Sequence, residues 1–309
     1  MQQDSHVAFA DRLTQVAAAV ENALAGLLAP EPRDGEIARP ERLLAAMRHA
    51  VLGGGKRLRP FLVIESARLL GRDMDHAMNA ACAVEVLHCY SLVHDDLPAM
   101  DDDDLRRGRP TVHVAFDEAT AILAGDALLT LAFELAATPH ASDDVQAHLE
   151  LVRGLARAAG LGGMVGGQIL DLTAEGRYGD APPGEAGIRT LQAMKTGALL
   201  AFSVEAGAIL GQATADERRA LAAYGKALGA AFQIADDVLD READEVAMGK
   251  RTAKDADKGK GTLVDMLGLP AARAERDAIA AEAIAALSGF GPQADILRDA
   301  ARFTAQRRT

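Results

Sequence analysis

Apolar residues recur at helical spacing along nearly the whole 309-residue chain, and this pattern constrains the fold more than any other feature. In the first segment they follow one another at steps of three or four, at Phe9, Leu13, Val16, Val20, Leu24 and Leu27. Further helices are predicted at about 41–52, 60–71, 74–97, 118–137, 143–174, 188–212, 215–241, 270–287 and 291–306. Strand signals are few, and no Asn-Gly or Asp-Gly pair joins two alternating runs. The sequence therefore predicts an all-α fold, with residues 1–309 as one domain.

Composition narrows the class of protein. A hydrophobic content of 49% with 25% charged residues is typical of a globular chain, and the net charge of −12 argues against nucleic acid as a partner. No apolar run reaches the ~18 residues of a membrane span, and the N-terminus lacks the pattern of a secretion signal. Cys82 and Cys89 lie seven positions apart on one predicted helix, too far for a disulfide. We therefore expect a cytoplasmic protein with no membrane span.

Two aspartate clusters lie far apart in the chain, at Asp95-Asp96 with 101–104, and at Asp236-Asp237 with Asp240. Each is flanked by strongly apolar sequence. Holding that much negative charge at the edge of a core is unfavourable without cations. Mg²⁺ commonly binds one or two protein carboxylates together with substrate phosphates. The clusters therefore predict a diphosphate that is held through metal ions.

The second cluster has regular helical spacing. Its members and one amide stand at i, i+3, i+4 and i+7, at Gln233, Asp236, Asp237 and Asp240, so they share one helix face. Like charges at this spacing repel one another, and no lysine lies between them. The residues around them are apolar, which argues against a solvated acidic face and favours metal binding.

The first cluster is less regular because Pro98 is unfavourable inside a helix. Asp95 and Asp96 are predicted to end the helix, and the later acids to return on a loop. Upstream, His88 and Ser91 share a stripe with Asp95 at i, i+3 and i+7. A lone helix histidine is more often a core residue than a ligand, so both interpretations of His88 stay open.

A glycine-rich basic turn occupies residues 53–60, with the sequence Gly-Gly-Gly-Lys-Arg-Leu-Arg-Pro. Its three cations lead into a predicted helix N-terminus, where backbone N–H groups and the helix dipole favour an anion. The spacing differs from that of a phosphate-binding Walker loop. An ordinary basic turn remains the alternative. Further cations lie beside acids or small residues, and each alone is a weak signal. They are Arg106, Arg107, Lys195, Lys250 and Lys260.

A polar pair interrupts the apolar pattern of the predicted helix at 143–174. Gln168 and Asp171 stand at i, i+3 and follow Gly166 and Gly167. The glycines are predicted to permit close packing of a neighbouring helix. The polar pair is predicted to face the same cavity as the metals.

Taken together, these motifs closely resemble the trans-prenyl diphosphate synthases, and among them the bacterial farnesyl diphosphate synthases. The resemblance rests on the basic turn at 53–60, the acidic segment at 88–108, Phe-Gln-Ile-Ala-Asp-Asp-Val-Leu-Asp at 232–240 and Ala-Gln-Arg-Arg at 305–308. It implies an isoprenoid-synthase-type orthogonal helical bundle around a deep central cavity, with the two acid clusters facing each other across it. It also implies a homodimer that condenses isopentenyl diphosphate head to tail with dimethylallyl and geranyl diphosphate.

The same resemblance implies a role for individual residues, with three Mg²⁺ ions per active site and Mn²⁺ as an alternative. The implied metal ligands are Asp95, Asp96, Asp101 and Asp236, with Asp237 and Asp240 nearby. The implied allylic diphosphate ligands are Arg106, Lys195, Thr196, Gln233, Lys250 and Lys260. The implied isopentenyl diphosphate ligands are Lys56, Arg59, His88 and Arg107, with Arg57 near them. The implied catalytic residues are Asp95, Asp96, Lys195, Thr196, Gln233 and Asp236.

Tyr90 bears on product length. It lies five residues before Asp95, about 7.5 Å along the helix, where with Ser91 it would form a floor below the metals. By the resemblance, an aromatic residue here together with the Leu-Pro expansion of the first aspartate motif implies a C15 product. The alternative is that Tyr90 only packs in the core.

One segment departs from the family pattern. After Gly259-Lys260, members commonly continue with Ser or Thr, Tyr and Pro, whereas this chain has Gly-Thr-Leu-Val at 261–264. The departure bears on the closure of the active-site lid and leaves the predicted reaction unchanged.

Other functions remain as alternatives. A geranylgeranyl or geranyl diphosphate synthase would share the fold and the motifs. A terpene cyclase is also all-α with metal-binding acids, but cyclases generally lack the basic turn and the paired arginines. A catalytically silent partner subunit would tend to lose aspartates from one cluster, and both are intact here.

Overall fold

The computed structural model describes residues 2–139, 144–179, 184–248 and 262–306. Within these ranges the chain is mostly helical with almost no strands, which confirms the predicted fold class. Two compact units are formed, the first by residues 1–155 with 209–211 and the second by 156–208 with 212–309. The prediction of a single domain stays a prediction.

The helices and strands follow one another in a simple order. Up to the middle of the chain they are α1 (Gln2–Leu27), α2 (Glu41–Val51), α3 (Leu58–Leu69), α4 (Met74–Asp95), β1 (Leu105–Arg106), β2 (Arg109–Pro110), α5 (Val112–Ala115), α6 (Glu118–Ala137) and α7 (Val145–Ala159). The remainder are α8 (Met164–Ala174), α9 (Glu185–Gln192), a π-helical turn (Ala193–Gly197), α10 (Ala198–Leu210), α11 (Ala215–Met248), α12 (Leu263–Leu267), α13 (Leu269–Ala286), a 3₁₀ turn (Pro292–Ala294) and α14 (Asp295–Gln306).

Most predicted helices agree with these bounds within a few residues, and three differences have physical causes. The helix expected at 143–174 is broken between α7 and α8, where three of the residues at 160–163 are glycine. The helix expected at 188–212 is interrupted by the π-helical turn. The hairpin at 105–110 was not predicted, because strands of two residues are too short to show an alternating pattern.

The first unit is built around α4. This helix packs against α3 and α6, while α1 packs against α3 and α2 against α6. Most α4 side chains between Ala80 and Val93 are buried on every side, which is typical of a central helix. The rings of Phe9 and Phe61 meet edge to face at 5.4 Å. The first aspartate cluster therefore follows directly from the central helix of its unit.

The second unit is built around α11, which packs against α12, α13, α14 and the π-helical turn. Tyr224 on α11 is fully buried, and its hydroxyl donates to the Leu297 carbonyl at 2.7 Å. Further along α11, Ile234 and Val238 belong to a core cluster with Leu263 of α12. The second aspartate cluster thus lies on a helix that is anchored on several sides.

Two helical stretches in the described ranges are long and apolar enough to cross a membrane by length and composition alone. They are Glu118–Ala137 and Glu185–Leu210, and 50% and 61% of their apolar windows are buried inside the protein. Core helices of soluble proteins meet the same criteria, so these stretches are weak evidence for a span. The absence of a membrane span stays a prediction.

Candidate active site

The first aspartate cluster lies where α4 ends. The helix finishes at Asp95 and Asp96 caps it, as predicted. The chain then folds back, because the backbone N–H of Asp101 donates to the Asp95 carbonyl at 2.9 Å and that of Asp103 to the Asp96 carbonyl at 3.2 Å. These bonds keep the acidic loop against the end of the helix.

Arg106 of the hairpin is bound to this cluster. Its Nε donates to Asp96 Oδ1 at 2.6 Å, and the Asp96 side chain is almost fully buried. Burial raises the pKa of Asp96, and the hydrogen bond from Arg106 offsets part of that rise. In this structure Asp96 is therefore held by a cation of the protein itself.

The carboxylate oxygens of the first cluster fit a divalent cation. Asp101 Oδ1 is buried and accepts no hydrogen bond from the described residues, which leaves a carboxylate oxygen that a cation would satisfy. Across 2–139, 144–179, 184–248 and 262–306, no three His, Cys, Asp or Glu side chains are gathered closely enough to hold a metal by themselves. Mg²⁺ needs only one or two protein carboxylates when substrate phosphates supply the other oxygens, so the residues fit this ion.

The glycine-rich turn is joined to the hairpin. Gly54 and Gly55 have φ of 80° and 130°, a region that favours glycine. An Arg107 guanidinium N–H donates to the Gly54 carbonyl, and a Cβ on Gly55 would lie 2.5 Å from the same nitrogen. The turn therefore needs its glycines so that Arg107 can lie across it.

His88 is half-buried on α4, and the charges of two predicted isopentenyl diphosphate ligands, Arg59 and Arg107, act on it. Its pKa is held well below 6.5, first by burial and then by the charges of Arg59, Arg107 and Arg106. His88 is thus neutral at pH 7 and can donate a hydrogen bond without adding charge. Arg59 Nε is buried with no acceptor in the described part of the chain, and burial lowers the pKa of this guanidinium. A buried guanidinium whose N–H lacks an acceptor favours the binding of an anionic ligand.

The other two cations of the basic turn differ in their exposure. Lys56 is exposed, as a ligand for a soluble substrate would be. Arg57 is buried and points into the protein, where its guanidinium is bonded to carboxylates. Neither position was evident from the sequence, since both side chains lie in the same basic run.

Tyr90 and Ser91, the predicted floor, lie on the last turns of α4. Tyr90 is buried, and its ring meets that of His94 edge to face at 5.7 Å. The Ser91 hydroxyl donates to the His88 carbonyl at 2.8 Å. The floor stays a prediction, and the structure adds His94 as the neighbour that orients the tyrosine ring.

Sequence reasoning missed His94 and its partner Gly125. The His94 ring lies 3.0 Å from the Ile122 carbonyl of α6, and a Cβ on Gly125 would lie only 2.0 Å from the same ring nitrogen. Gly125 therefore permits the close approach of α6 to the helix turn that carries Asp95. A glycine inside an otherwise apolar helix was the available signal.

In the second unit, Lys195 lies in the π-helical turn and donates to Asp171 at 2.5 Å. A Cβ on Gly167 of α8 would lie 2.1 Å from the Lys195 backbone nitrogen, and one on Gly229 of α11 would lie 3.0 Å from Gly197. Two glycines thus let α8 and α11 press against the turn, which confirms the packing role predicted for the first of them. Single π-helical turns inside helices are frequent at functional sites.

The second aspartate cluster is half-buried on α11, except for Asp240, which is exposed. Asp237 accepts a hydrogen bond from the Gln192 amide at 2.7 Å. Burial raises the pKa of Asp237 to about 6, while bonds from Gln192, the Leu263 N–H and Gln233 lower it in part. Asp237 therefore connects α11 to α9 and α12.

The segment that departs from the family pattern begins a helix. Thr262 caps α12 in a reciprocal arrangement, in which its hydroxyl accepts from the Asp265 N–H and the Asp265 carboxylate accepts from the Thr262 N–H. Leu263 and Val264 are buried in the core. Thr-x-x-Asp before an apolar residue is the corresponding sequence signal.

Three predicted features lie outside the described residues. They are the allylic diphosphate ligands Lys250 and Lys260 and the glycine of the departing segment at 261. Thr196, Gln233 and Asp236 are described and half-buried in the second unit.

Comparison with known proteins decides the family. The family description "Polyprenyl synthetase" matches residues 40–294, well over half of the chain. The chain belongs to the polyprenyl synthetase family.

Relatives within the polyprenyl synthetases agree with this. A protein of Bacillus subtilis named farnesyl diphosphate synthase is 43% identical over 87% of this chain and 90% of its own length. One of Escherichia coli with the same name is 47% identical over 75% and 77%. The solved apo structure of an FPP/GFPP synthase from Zymomonas mobilis superposes with a TM-score of 0.85 at 44% identity, covering 97% of this chain and 99% of that one. The predicted family, fold and prenyltransferase class are confirmed.

Proposed function

We propose that this polyprenyl synthetase is a farnesyl diphosphate synthase that joins isopentenyl diphosphate to dimethylallyl and then to geranyl diphosphate. One observation carries the proposal beyond the similarity to named relatives. Arg106 and Arg107 are adjacent in the hairpin, yet the first is bonded to Asp96 of the acid cluster and the second to the glycine-rich turn. Neighbouring cations directed to two places suit a reaction with two diphosphate substrates.

The isopentenyl diphosphate is assigned to the basic turn. Lys56, Arg59 and Arg107 supply charge, and neutral His88 supplies a hydrogen-bond donor. These groups hold the second substrate without activating its diphosphate, because that diphosphate is retained in the product.

The allylic diphosphate is assigned to the residues that the resemblance implies for it. Arg106, Lys195, Thr196 and Gln233 would bind its oxygens, as would Lys250 and Lys260. Asp171 holds the Lys195 ammonium at 2.5 Å and so orients it. Cations fixed before the reaction stabilise charge that develops on the leaving diphosphate.

The proposed reaction needs no nucleophile from the protein. The C1–O bond of the allylic substrate breaks and its electron pair leaves with the diphosphate. The π electrons of the isopentenyl double bond form the new bond to C1 of the allylic substrate. Loss of a proton from C2 of the isopentenyl unit then restores a double bond. We assign the departing diphosphate as the proton acceptor. Exclusion of water prevents quenching of the allylic cation.

Magnesium is assigned to the acids that fit it. By the resemblance, three Mg²⁺ ions would be held by Asp95, Asp96, Asp101 and Asp236, with Asp237 and Asp240 nearby, and Mn²⁺ is an alternative. Bound there, the metal would neutralise charge on the diphosphate that leaves. We further place the enzyme in the cytoplasm as a homodimer.

Product formation tests the proposal. The pure protein is incubated with Mg²⁺, isopentenyl diphosphate and geranyl diphosphate, and the products are separated by chromatography. We expect farnesyl diphosphate from the wild type and a large loss of activity in Asp95→Ala. A geranylgeranyl product would replace the C15 assignment, whereas no prenyl product, with Asp95→Ala equal to wild type, would refute the proposal.

A further inference from the structure

Arg57 belongs to the basic turn by sequence but makes its contacts inside the protein. Its side chain is 1% exposed. Nη1 donates to Glu85 Oε1 at 2.6 Å, and Nη2 donates to Glu21 Oε2 and to the Val51 carbonyl, each at 2.5 Å. Because the side chain is buried and bonded to these partners, the guanidinium is not accessible to a diphosphate.

We propose that Arg57 is a positioning residue for isopentenyl diphosphate, which fixes the basic turn without touching the substrate. The inference deepens the proposed function and rests on it. It changes the role expected of Arg57 from the resemblance, where it was placed near the ligands.

The backbone at Arg57 requires such an anchor. Its φ of 47° lies in the left-handed region, which is unfavourable for a residue with a Cβ and persists where surrounding contacts hold it. The Arg57 carbonyl also accepts the N–H of Phe61 at 3.0 Å and so begins α3. The conformation of one residue therefore sets where the glycine-rich turn stops and the helix starts.

Glu85 connects this anchor to the substrate site. It lies on α4 three residues before His88, less than one helical turn away. The ion pair with Arg57 thus ties the turn that carries Lys56 and Arg59 to the part of α4 that carries His88. A binding site assembled from two elements depends on such a connection, because small displacements of its ligands weaken binding strongly.

The charge around Arg57 distinguishes a positioning role from direct binding of the substrate. The carboxylates of Glu21 and Glu85 offset the charge of Arg57. The cations assigned to the substrate are therefore Lys56, Arg59 and Arg107. If Arg57 acted through its charge alone, removal of the negative charge of Glu21 would tighten diphosphate binding. If Arg57 positions the turn, the same change loosens binding.

The test compares two conservative variants. Arg57→Lys keeps the charge but loses the two-armed geometry. Arg12→Lys is the matched control, since Arg12 Nε bonds at 2.7 Å to buried Glu65, which lies on α3 about two turns beyond Arg57. Affinity for isopentenyl diphosphate is measured by calorimetry, KM for geranyl diphosphate by assay, and Tm for both variants.

We expect Arg57→Lys to bind isopentenyl diphosphate about tenfold more weakly, with KM for geranyl diphosphate within about twofold of wild type. Arg12→Lys keeps both values. Glu21→Gln, a milder change that serves if Arg57→Lys fails to fold, weakens binding in the same direction. Equal affinity in Arg57→Lys and Arg12→Lys, or tighter binding in Glu21→Gln, overturns the inference.

Failure of the proposed function gives a different result. If the wild type binds isopentenyl diphosphate yet forms no product, the proposed reaction fails while the comparison of affinities still decides the role of Arg57. If the wild type does not bind isopentenyl diphosphate at all, both conclusions fall.

Discussion

Single residues of the basic turn have distinct environments that their shared charge conceals. Lys56 is exposed, Arg59 is partly buried with an unsatisfied Nε, and Arg57 is bonded to carboxylates in the interior. The sequence predicted an anion site from these residues as a group. It could not separate them, because the partners of Arg57 lie 28 and 36 positions away at Glu85 and Glu21.

The identity of other site residues followed from their spacing. The stripe of His88, Ser91 and Asp95 placed the histidine on the same side as the acids, and the structure gives His88 a lowered pKa among arginines. The lowering of its pKa was not predictable, since burial and neighbouring charges come from the fold. Spacing therefore predicts which residues meet, and packing decides their state of protonation.

Tyr90 gives a prediction at this scale. If its ring is the floor, Tyr90→Ala opens the space below the metals and the enzyme releases products longer than C15, seen by chromatography of the reaction mixture. The helix tolerates alanine well, but removal of a buried aromatic side chain costs about 3–5 kcal/mol of stability, so the assay is run below the lowered Tm. An unchanged C15 product would show that Tyr90 only packs in the core.

At the scale of whole elements, helix positions were predictable and their interruptions were not. The bounds of α6 were expected at 118–137 and are observed there. The π-helical turn at Ala193–Gly197 arises where Gly167 and Gly229 let two other helices approach. Such an approach depends on residues distant in sequence, so a periodic pattern within one segment cannot reveal it.

The contact between α11 and α9 predicts a dependence on pH. Burial raises the pKa of Asp237 to about 6 from a normal value of 3.8. Because the folded-state pKa is the higher one, the contribution of Asp237 to stability is fully present below pH ~4 and is lost as pH rises through about 6. In metal-free buffer, wild-type stability should fall across this window by up to roughly 3 kcal/mol from this group.

Asp237→Asn should flatten this pH dependence and raise stability at pH 7.5, measured by urea unfolding in the presence of a chelator. The amide oxygen can still accept from Gln192, so the connection between the helices is kept. An equal slope in wild type and variant between pH 4 and 6 would show that Asp237 is not the group responsible.

For the whole molecule, the net charge of −12 is compatible with the proposed binding of diphosphates because the cations are local. Each unit has its own core and its own aspartate cluster. Composition predicted a globular chain, and the motifs predicted the family that the comparisons confirm. The hairpin that directs Arg106 and Arg107 to different partners was beyond sequence reasoning, because it rests on four paired residues.

The central claim is that these adjacent arginines serve two different diphosphates. Its most direct test is the pair of KM values for geranyl and isopentenyl diphosphate in Arg106→Lys and Arg107→Lys, each variant losing the two-armed geometry of arginine. We predict that Arg106→Lys raises KM for geranyl diphosphate about tenfold and that Arg107→Lys raises KM for isopentenyl diphosphate by a similar factor, each leaving the other value within about twofold. Both variants raising KM for the same substrate would contradict the account.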